Sequence, residues 1–226
     1  MRRYNSTTYS MDNDKLALSR RHFVISGSLA PLAVGAGAGL IAPTKARADE
    51  AKEPTISDDD HVLGDPKAPI SIIEYASLTC PHCAHFHEAT FPDLKKNWID
   101  TGKASLTFRH FPLDRYAFQA SVLTECGSKS TFFGLVGLIF NQQVEWTHAK
   151  DPVEALAQIG KTASIGEKKF KDCLADEKLG ESILNQRLVG ANDYGVDATP
   201  TLFVNGKKYE GDRSYEEFDT FLKSLM

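Results

Sequence analysis

Ser77-Leu78-Thr79-Cys80-Pro81-His82-Cys83 stands where an apolar run, Ile70-Ser71-Ile72-Ile73-Glu74-Tyr75, gives way to a segment, Ala84 to Trp98, patterned as a helix. Two cysteines three apart at a strand-to-helix junction put one sulfur at the helix N-terminus and the other about one turn in. The first amide N–H groups of a helix lack internal partners, and the helix dipole places partial positive charge there. A thiolate at Cys80 is stabilised by both, so its pKa falls. Pro81 suits the first helical position, where a missing N–H costs nothing. His82 adds a second stabiliser if it donates a hydrogen bond or carries charge. Stabilising the thiolate favours the reduced protein, which makes its disulfide a stronger oxidant. The stretch reads as redox chemistry.

The strand before it, Ile70–Tyr75, is nearly continuous in apolar residues, as a central strand covered on both faces should be. Glu74 is the exception. Counting by two, it shares a face with Ile70 and Ile72. It is either a surface acid at a strand end or a partly buried carboxylate near the cysteines, able to relay a proton. Cys80, Cys83, His85 and His87 have spacings a metal site can use. On a helix, however, His85 and His87 project roughly 200° apart, so no metal is expected, and both read as solvent-facing or capping residues.

Downstream, Pro92 predicts a kink or restart at Phe91-Pro92-Asp93, and the helix should stop near Gly102. Ala104–His110 alternates as the next strand, and Phe111-Pro112-Leu113-Asp114 turns the chain out of the sheet. No convincing strand occurs from Tyr116 to about Asn192. Ala117–Cys126, Thr131–Gln142, Pro152–Ile159, Glu167–Ala175 and Lys178–Ala191 read as helices. Thr199-Pro200 then leads into Thr201–Val204, and Asn205-Gly206 signals a hairpin to Lys207–Tyr209. Ser214-Tyr215-Glu216-Glu217 reads as a capping box, with Phe218, Phe221 and Leu222 the buried stripe of a last helix.

Upstream, His61–Pro66 forms a short first strand and turn, and residues 49–60 are polar enough for a flexible lead-in. Residues 1–48 look like an address. Ser19-Arg20-Arg21-His22-Phe23-Val24 precedes an uncharged Ala/Gly/Leu-rich stretch, Ile25 to Ala42, and then Ala46-Arg47-Ala48, a small-x-small cleavage pattern. Paired arginines before a weakly hydrophobic, Gly-rich core resemble a twin-arginine export signal. An uncleaved anchor is the alternative, disfavoured by Pro31 and the glycines at 27, 35, 37 and 39. Cleavage near Ala48 leaves Asp49–Met226 in an oxidising compartment, the periplasm.

The whole chain of 226 residues is 42% apolar and 25% charged, an ordinary globular composition. Residues 1–48 hold seven basic and two acidic side chains, the remainder 19 and 28, so the leader carries +5 and the body −9. A body at −9 argues against nucleic acid or an anionic membrane surface as the main partner.

Cys80-Pro81-His82-Cys83 after a strand, a helical insertion, and Thr199-Pro200 before a terminal hairpin and helix together resemble the DsbA-type thiol–disulfide oxidoreductases, over essentially all of 61–226. The resemblance implies an α/β fold: a thioredoxin domain, here 61–115 with 195–226, interrupted by an all-helical domain, 116–194. It implies that Cys80 is the exposed nucleophile and Cys83 the buried resolving thiol. Pro200 would follow a cis bond facing the cysteines, and Thr199 would offer main-chain hydrogen bonds to an extended substrate. Glu74 would be the family's acidic residue before the active site. Reduced exported proteins are the implied substrates, a membrane-bound, quinone-linked (DsbB-like) protein the reoxidant, and a monomer with no cofactor beyond the cysteine pair the working form.

Cys126 and Cys173 fall in the helical insertion. They are either buried free thiols or, as in some members of the resembled family, a structural disulfide. An isomerase or reductase of the same superfamily is the alternative function. Exported isomerases usually carry an N-terminal dimerisation domain, for which the twelve residues 49–60 leave no room. A metal-binding or chaperone-like module is the reading from a different class.

Overall fold

The computed structural model describes residues 52–226. The export signal expected at 1–48, its cleavage near Ala48 and the start of the lead-in lie outside the described residues. Strand β2 (Ile70–Ala76) is buried at every position except Ser71, as a strand apolar on both faces must be to stay out of water. It occupies the middle of a five-stranded sheet ordered β1-β3-β2-β4-β5, with β1 at His61–Leu63, β3 at Ala104–His110, β4 at Thr201–Val204 and β5 at Lys207–Lys208. β2 runs parallel to β3 and antiparallel to β4. The parallel pair demands a crossover, which the helical run after Cys80 supplies.

That run comprises α1 (Pro81–His85), a π-helical turn (Phe86–Thr90), α2 (Phe91–Leu94) and a second π-helical turn (Lys95–Ile99). Proline inside a helix lacks an N–H and crowds the carbonyl four residues back. Widening the turn before Pro92, where Phe91 N–H reaches back to the Phe86 carbonyl, accommodates the ring without ending the helix. The kink expected near Pro92 is thus a change of helical register. Gly102, at φ 72°, closes the run.

β4 and β5 form the hairpin, with Asn205 at φ 48° and Gly206 at φ 84°. Two positive φ values in succession are what a tight primed turn requires. The last helix, α9 (Tyr215–Lys223), follows. Its capping box does not form. Ser214 sits at the cap with no side-chain cap bond, because Asp212 Oδ1 accepts the Ser214 N–H at 2.6 Å, the donor a first-turn glutamate would have reached. One face of the sheet, with Ile70, Ile72, Leu106, Leu202 and Val204, packs against Phe86, Leu94 and Trp98 of the crossover and Phe218 and Leu222 of α9. Trp98 Nε1 donates to Asp219 at 2.9 Å and fixes the two helices together.

Between β3 and β4 the chain is helical: α3 (Arg115–Glu125), α4 (Phe132–Asn141), α5 (Gln143–Thr147), α6 (Pro152–Thr162), α7 (Glu167–Leu174) and α8 (Glu177–Asp193). The five-residue α5 lies outside the helices expected from sequence. Leu123, Leu135, Ile139, Trp146 and Leu156 of these helices share one core with Ala76, Leu78, Cys83 and Phe108 of the strand-and-crossover part. Cys126 and Cys173 are bonded, with Cα atoms 5.9 Å apart, and span 47 positions.

The lead-in is a correction to expectation over its described part. Residues 52–60 are irregular yet tied down. Lys52 N–H donates to the Asp193 carbonyl at 2.9 Å, and Ile56 packs on Ile73, Tyr75, Phe111 and Phe203 at the second sheet face. Arg109 of β3 explains the strap. It is only 7% exposed, and a buried guanidinium needs partners. It donates to both oxygens of Asp60 at 2.9 and 2.7 Å, to the Thr55 carbonyl at 2.6 Å and to the Tyr75 hydroxyl at 2.9 Å.

Two outcomes follow from this packing. Gly190 of α8 lies against the Tyr75 ring so closely that a Cβ would sit 2.7 Å from Cε1. Gly190→Ala should therefore lower stability by about 1–3 kcal/mol in urea denaturation, the cost of overpacking a rigid core. Replacing both Cys126 and Cys173 with Ser should lower it by about 4 kcal/mol, the loop-closure entropy for a span of this length.

Candidate active site

The turn leaving β2 delivers Cys80 to the cap position of α1, with extended backbone at φ −78° and ψ 121° and Pro81 beginning the helix. Cys80 N–H donates to the Ser77 carbonyl at 3.0 Å, and the Cys80 carbonyl accepts from Cys83 and Ala84 N–H, each at 3.1 Å. Two side chains from later in the chain hold this turn, one within the helical insertion and one just before it. Gln143 of α5, buried, donates through Nε2 to the carbonyls of Leu78 at 2.9 Å and Cys80 at 3.1 Å. Asp114 accepts from the Thr79 hydroxyl at 2.6 Å through Oδ2, while its Oδ1 caps α3 by accepting from Tyr116 and Ala117 N–H.

The two sulfurs differ in environment. Cys80 is 6% exposed and Cys83 fully buried. The Thr199–Pro200 peptide bond is cis, and the Cys80 thiol donates to the Thr199 carbonyl at 3.3 Å. The hydrogen bond from the Cys83 thiol, aided by the backbone N–H groups of Cys83 and His82, outweighs burial and holds the Cys80 thiol at about 5. Cys83 moves the other way. Burial pushes its thiol well above the ordinary value, and its bond to Cys80 and the charge of Glu74 push it further. One sulfur is thus a thiolate near neutral pH and the other stays a thiol. That pairing suits attack at Cys80 and easy departure of Cys80 from a mixed disulfide.

His82 stabilises the Cys80 thiolate through its main-chain N–H. Its imidazole is exposed and lines a groove of about 460 Å³ with His85, Phe86, Ala198, Thr199, Pro200 and the 212–214 turn. Pro81 is exposed beside it. Glu74 has no exposed surface, and its Oε2 accepts from His87 Nε2 at 2.9 Å. Of the two histidines expected at the surface, His85 is there and His87 is not: its side chain is 3% exposed. The signal was present, since His87 lies four residues from Cys83 and so on the same buried face. Gln143 had no such signal, because its acceptors lie 63 and 65 positions away. Among the described residues, no group of three or more His, Cys, Asp or Glu could hold a metal ion.

Comparison with known proteins agrees with this geometry. A thioredoxin family model matches residues 56–224. The crystal structure of alpha-DsbA1 from Wolbachia pipientis superposes with a TM-score of 0.71 at 34% identity, covering 76% of this chain and 92% of that one. A protein-disulfide oxidoreductase of Rickettsia felis is 34% identical over 172 residues, 76% of this chain and 62% of its own length. Disulfide bond formation protein D of Bacillus subtilis is 28% identical over 176 residues, 73% of this chain and 76% of its own. The chain thus spans about three fifths of the rickettsial relatives it matches. With a thioredoxin sheet interrupted by helices, a Cys-Pro-His-Cys helix start and a cis-proline turn against it, the chain belongs to the thioredoxin family and, within it, to the DsbA-type thiol–disulfide oxidoreductases.

Proposed function

We propose that this chain is an exported thiol–disulfide oxidoreductase that donates a Cys80–Cys83 disulfide to reduced proteins. The observation that carries the reading is Cys80 at the cap of α1, its thiol donating to the carbonyl of the cis Thr199–Pro200 turn, with Cys83 fully buried one turn behind it. A substrate thiolate attacks Cys80 Sγ. The bond from substrate to Cys80 forms, the Cys80–Cys83 bond breaks, and Cys83 leaves and takes up a proton. A second substrate thiolate then attacks the first substrate sulfur and expels Cys80 as a thiolate. Two electrons pass from the substrate dithiol to the cysteine pair, and the sulfurs need no cofactor to accept them. Each pKa unit by which the folded protein stabilises the Cys80 thiolate contributes about 1.4 kcal/mol, or roughly 30 mV of oxidising power.

In this reading Thr199 and Pro200 receive an extended substrate segment in the groove beside His82. Residues 61–115 and 195–226 form the thioredoxin-like domain, 116–194 the helical insertion, and the Cys126–Cys173 bridge is structural. The mature protein works as a monomer in the periplasm after cleavage near Ala48 and is reoxidised by a membrane-bound, quinone-linked partner.

The reduced protein should oxidise no test substrate, the oxidised protein should, and Cys80→Ser should abolish the activity. Cys83→Ser should instead accumulate mixed disulfides, seen as mass adducts on Cys80; adducts on neither cysteine would defeat the reading. The pH dependence has a definite sign. A thiol whose folded pKa is depressed stabilises the reduced protein above its ordinary pKa, and that contribution disappears as pH falls through the folded value. Reduced protein should therefore resist urea better than oxidised protein at pH 7 and lose that advantage toward pH 5. Alkylation of Cys80 should rise through the same pH, with Cys83 unlabelled.

A further inference from the structure

Cys80 stands between two surfaces. Where β2 ends, Ala76 pairs with His110 of β3 on one side and Tyr75 with Thr201 of β4 on the other. The 198–200 turn, on the β4 side, reaches the Cys80 sulfur and lines the groove already described. The turn leaving β3 flanks the cysteine from the opposite side. There Asp114 accepts from the Thr79 hydroxyl at 2.6 Å, and Leu113 N–H donates to Ser77 Oγ at 3.4 Å. Leu113, Arg115 and Phe118 meet Leu184 and Arg187 of α8 around a hollow of about 300 Å³ that shares no residue with the groove.

The hollow is apolar and cationic at once. Leu113 is 51% exposed, Leu184 46% and Leu188, one turn further along α8, 53%. Exposed leucines are ordinary singly, but clustered ones mark an interaction surface. Each guanidinium lies over an aromatic ring, Arg115 over Tyr116 at 4.4 Å and Arg187 over Phe111 at 5.4 Å. Stacking holds the planar group in place and leaves donors along its edge for a carboxylate. Of the four arginines among the described residues, Arg109 is paired with Asp60, whereas Arg115, Arg187 and Arg213 have no carboxylate partner. All three line the two surfaces beside Cys80. Asp114, at the rim of the hollow, is already engaged by Thr79 and by the first turn of α3. In a body of net charge −9, unpaired guanidiniums gathered around the reactive sulfur select an acidic partner.

We propose that this hollow is a substrate subsite that takes an apolar side chain of the reduced protein between Leu113 and Leu184 and a neighbouring carboxylate at Arg187 and Arg115. The enzyme then favours cysteines set among apolar and acidic residues. This rests on the function proposed above and gives it a substrate class. The occupant is the chain being oxidised because the hollow adjoins the turn that carries Cys80. A segment joined to that sulfur has the groove on one side and the hollow on the other. Its carboxylate accepts charge-assisted hydrogen bonds from guanidiniums that the fold has already positioned, while the chemistry at the sulfurs is unaltered.

The test mixes the oxidised full chain with reduced peptides whose two cysteines are flanked by leucines and by either glutamates or lysines. Each second-order rate constant is divided by that peptide's rate with oxidised dithiothreitol, which removes differences in thiol ionisation. The readout is the ratio of the acidic to the basic peptide. Wild-type protein should favour the acidic peptide about fivefold, the upper range for an exposed charge pair. Arg187→Glu should bring the ratio below one. Serines in place of the leucines should slow the acidic peptide about threefold, less than full burial of a leucine would give. A wild-type ratio of one, a ratio unmoved by Arg187→Glu, or no slowing with serines overturns the proposal. Should Arg187→Glu fail to fold, Arg115→Glu decides by the same ratio. Loss in Arg187→Glu of binding to phosphatidylglycerol vesicles, or of self-association, with the peptide ratio unmoved, assigns this face to a membrane or a second copy and overturns the proposal. Oxidation of neither peptide by the wild-type protein would instead defeat the proposed function.

Discussion

The hydrogen bond from the Cys83 thiol to the Cys80 sulfur is the interaction on which the rest of the site depends. It is the largest influence lowering Cys80, and it exists only while Cys83 keeps its proton. Burial of Cys83 in the core that Leu78, Ala84 and the inserted helices share keeps it protonated, so the hydrophobic core sets the redox character of a residue at its edge. The helix N-terminus, the feature most visible in sequence, contributes two N–H groups that rank below the thiol. The sulfur at the cap is stabilised chiefly by the sulfur one turn later.

That arrangement requires the turn at 77–80 to be held still, and Gln143 of the helical insertion and Asp114 just before it do the holding. The Gln143 amide binds the Leu78 carbonyl and adds a third donor to the Cys80 carbonyl, and Asp114 accepts from the Thr79 hydroxyl. Both donors and acceptors are supplied by segments far along the chain, which is a physical reason for the insertion to pack against α1 and not on the far side of the sheet. Precise placement by surrounding groups is what separates a reactive cysteine from a merely buried one.

The features legible in the sequence were those governed by local rules. The strand before Cys80, Pro81 at the first helical position, the Asn205-Gly206 hairpin and the helical character of 116–194 all follow from periodicity, φ limits or missing donors. The misreadings came where a distant partner decided. Residues 52–60 look like a soluble tail until Arg109, fifty positions later, is seen to need an anion. Ser214 looks like a capping box until Asp212 takes its N–H first. His87 shows an intermediate case: its spacing from Cys83 puts it on the buried face, but only the fold shows that a carboxylate waits there.

The buried charges also differ in how fully they are satisfied. Asp60 has Arg109 on both oxygens. Glu125 accepts from His61 at 2.8 Å and His110 at 3.0 Å, one on each oxygen, and these bonds overcome burial to hold it at about 2. Both are stable anions, fixed in one state, and each ties distant segments together. Glu74, fully buried on β2, has a donor on Oε2 alone. Asp60 and Glu125 join distant segments with a donor on each oxygen, whereas Glu74, on the central strand, joins β2 to the crossover through one.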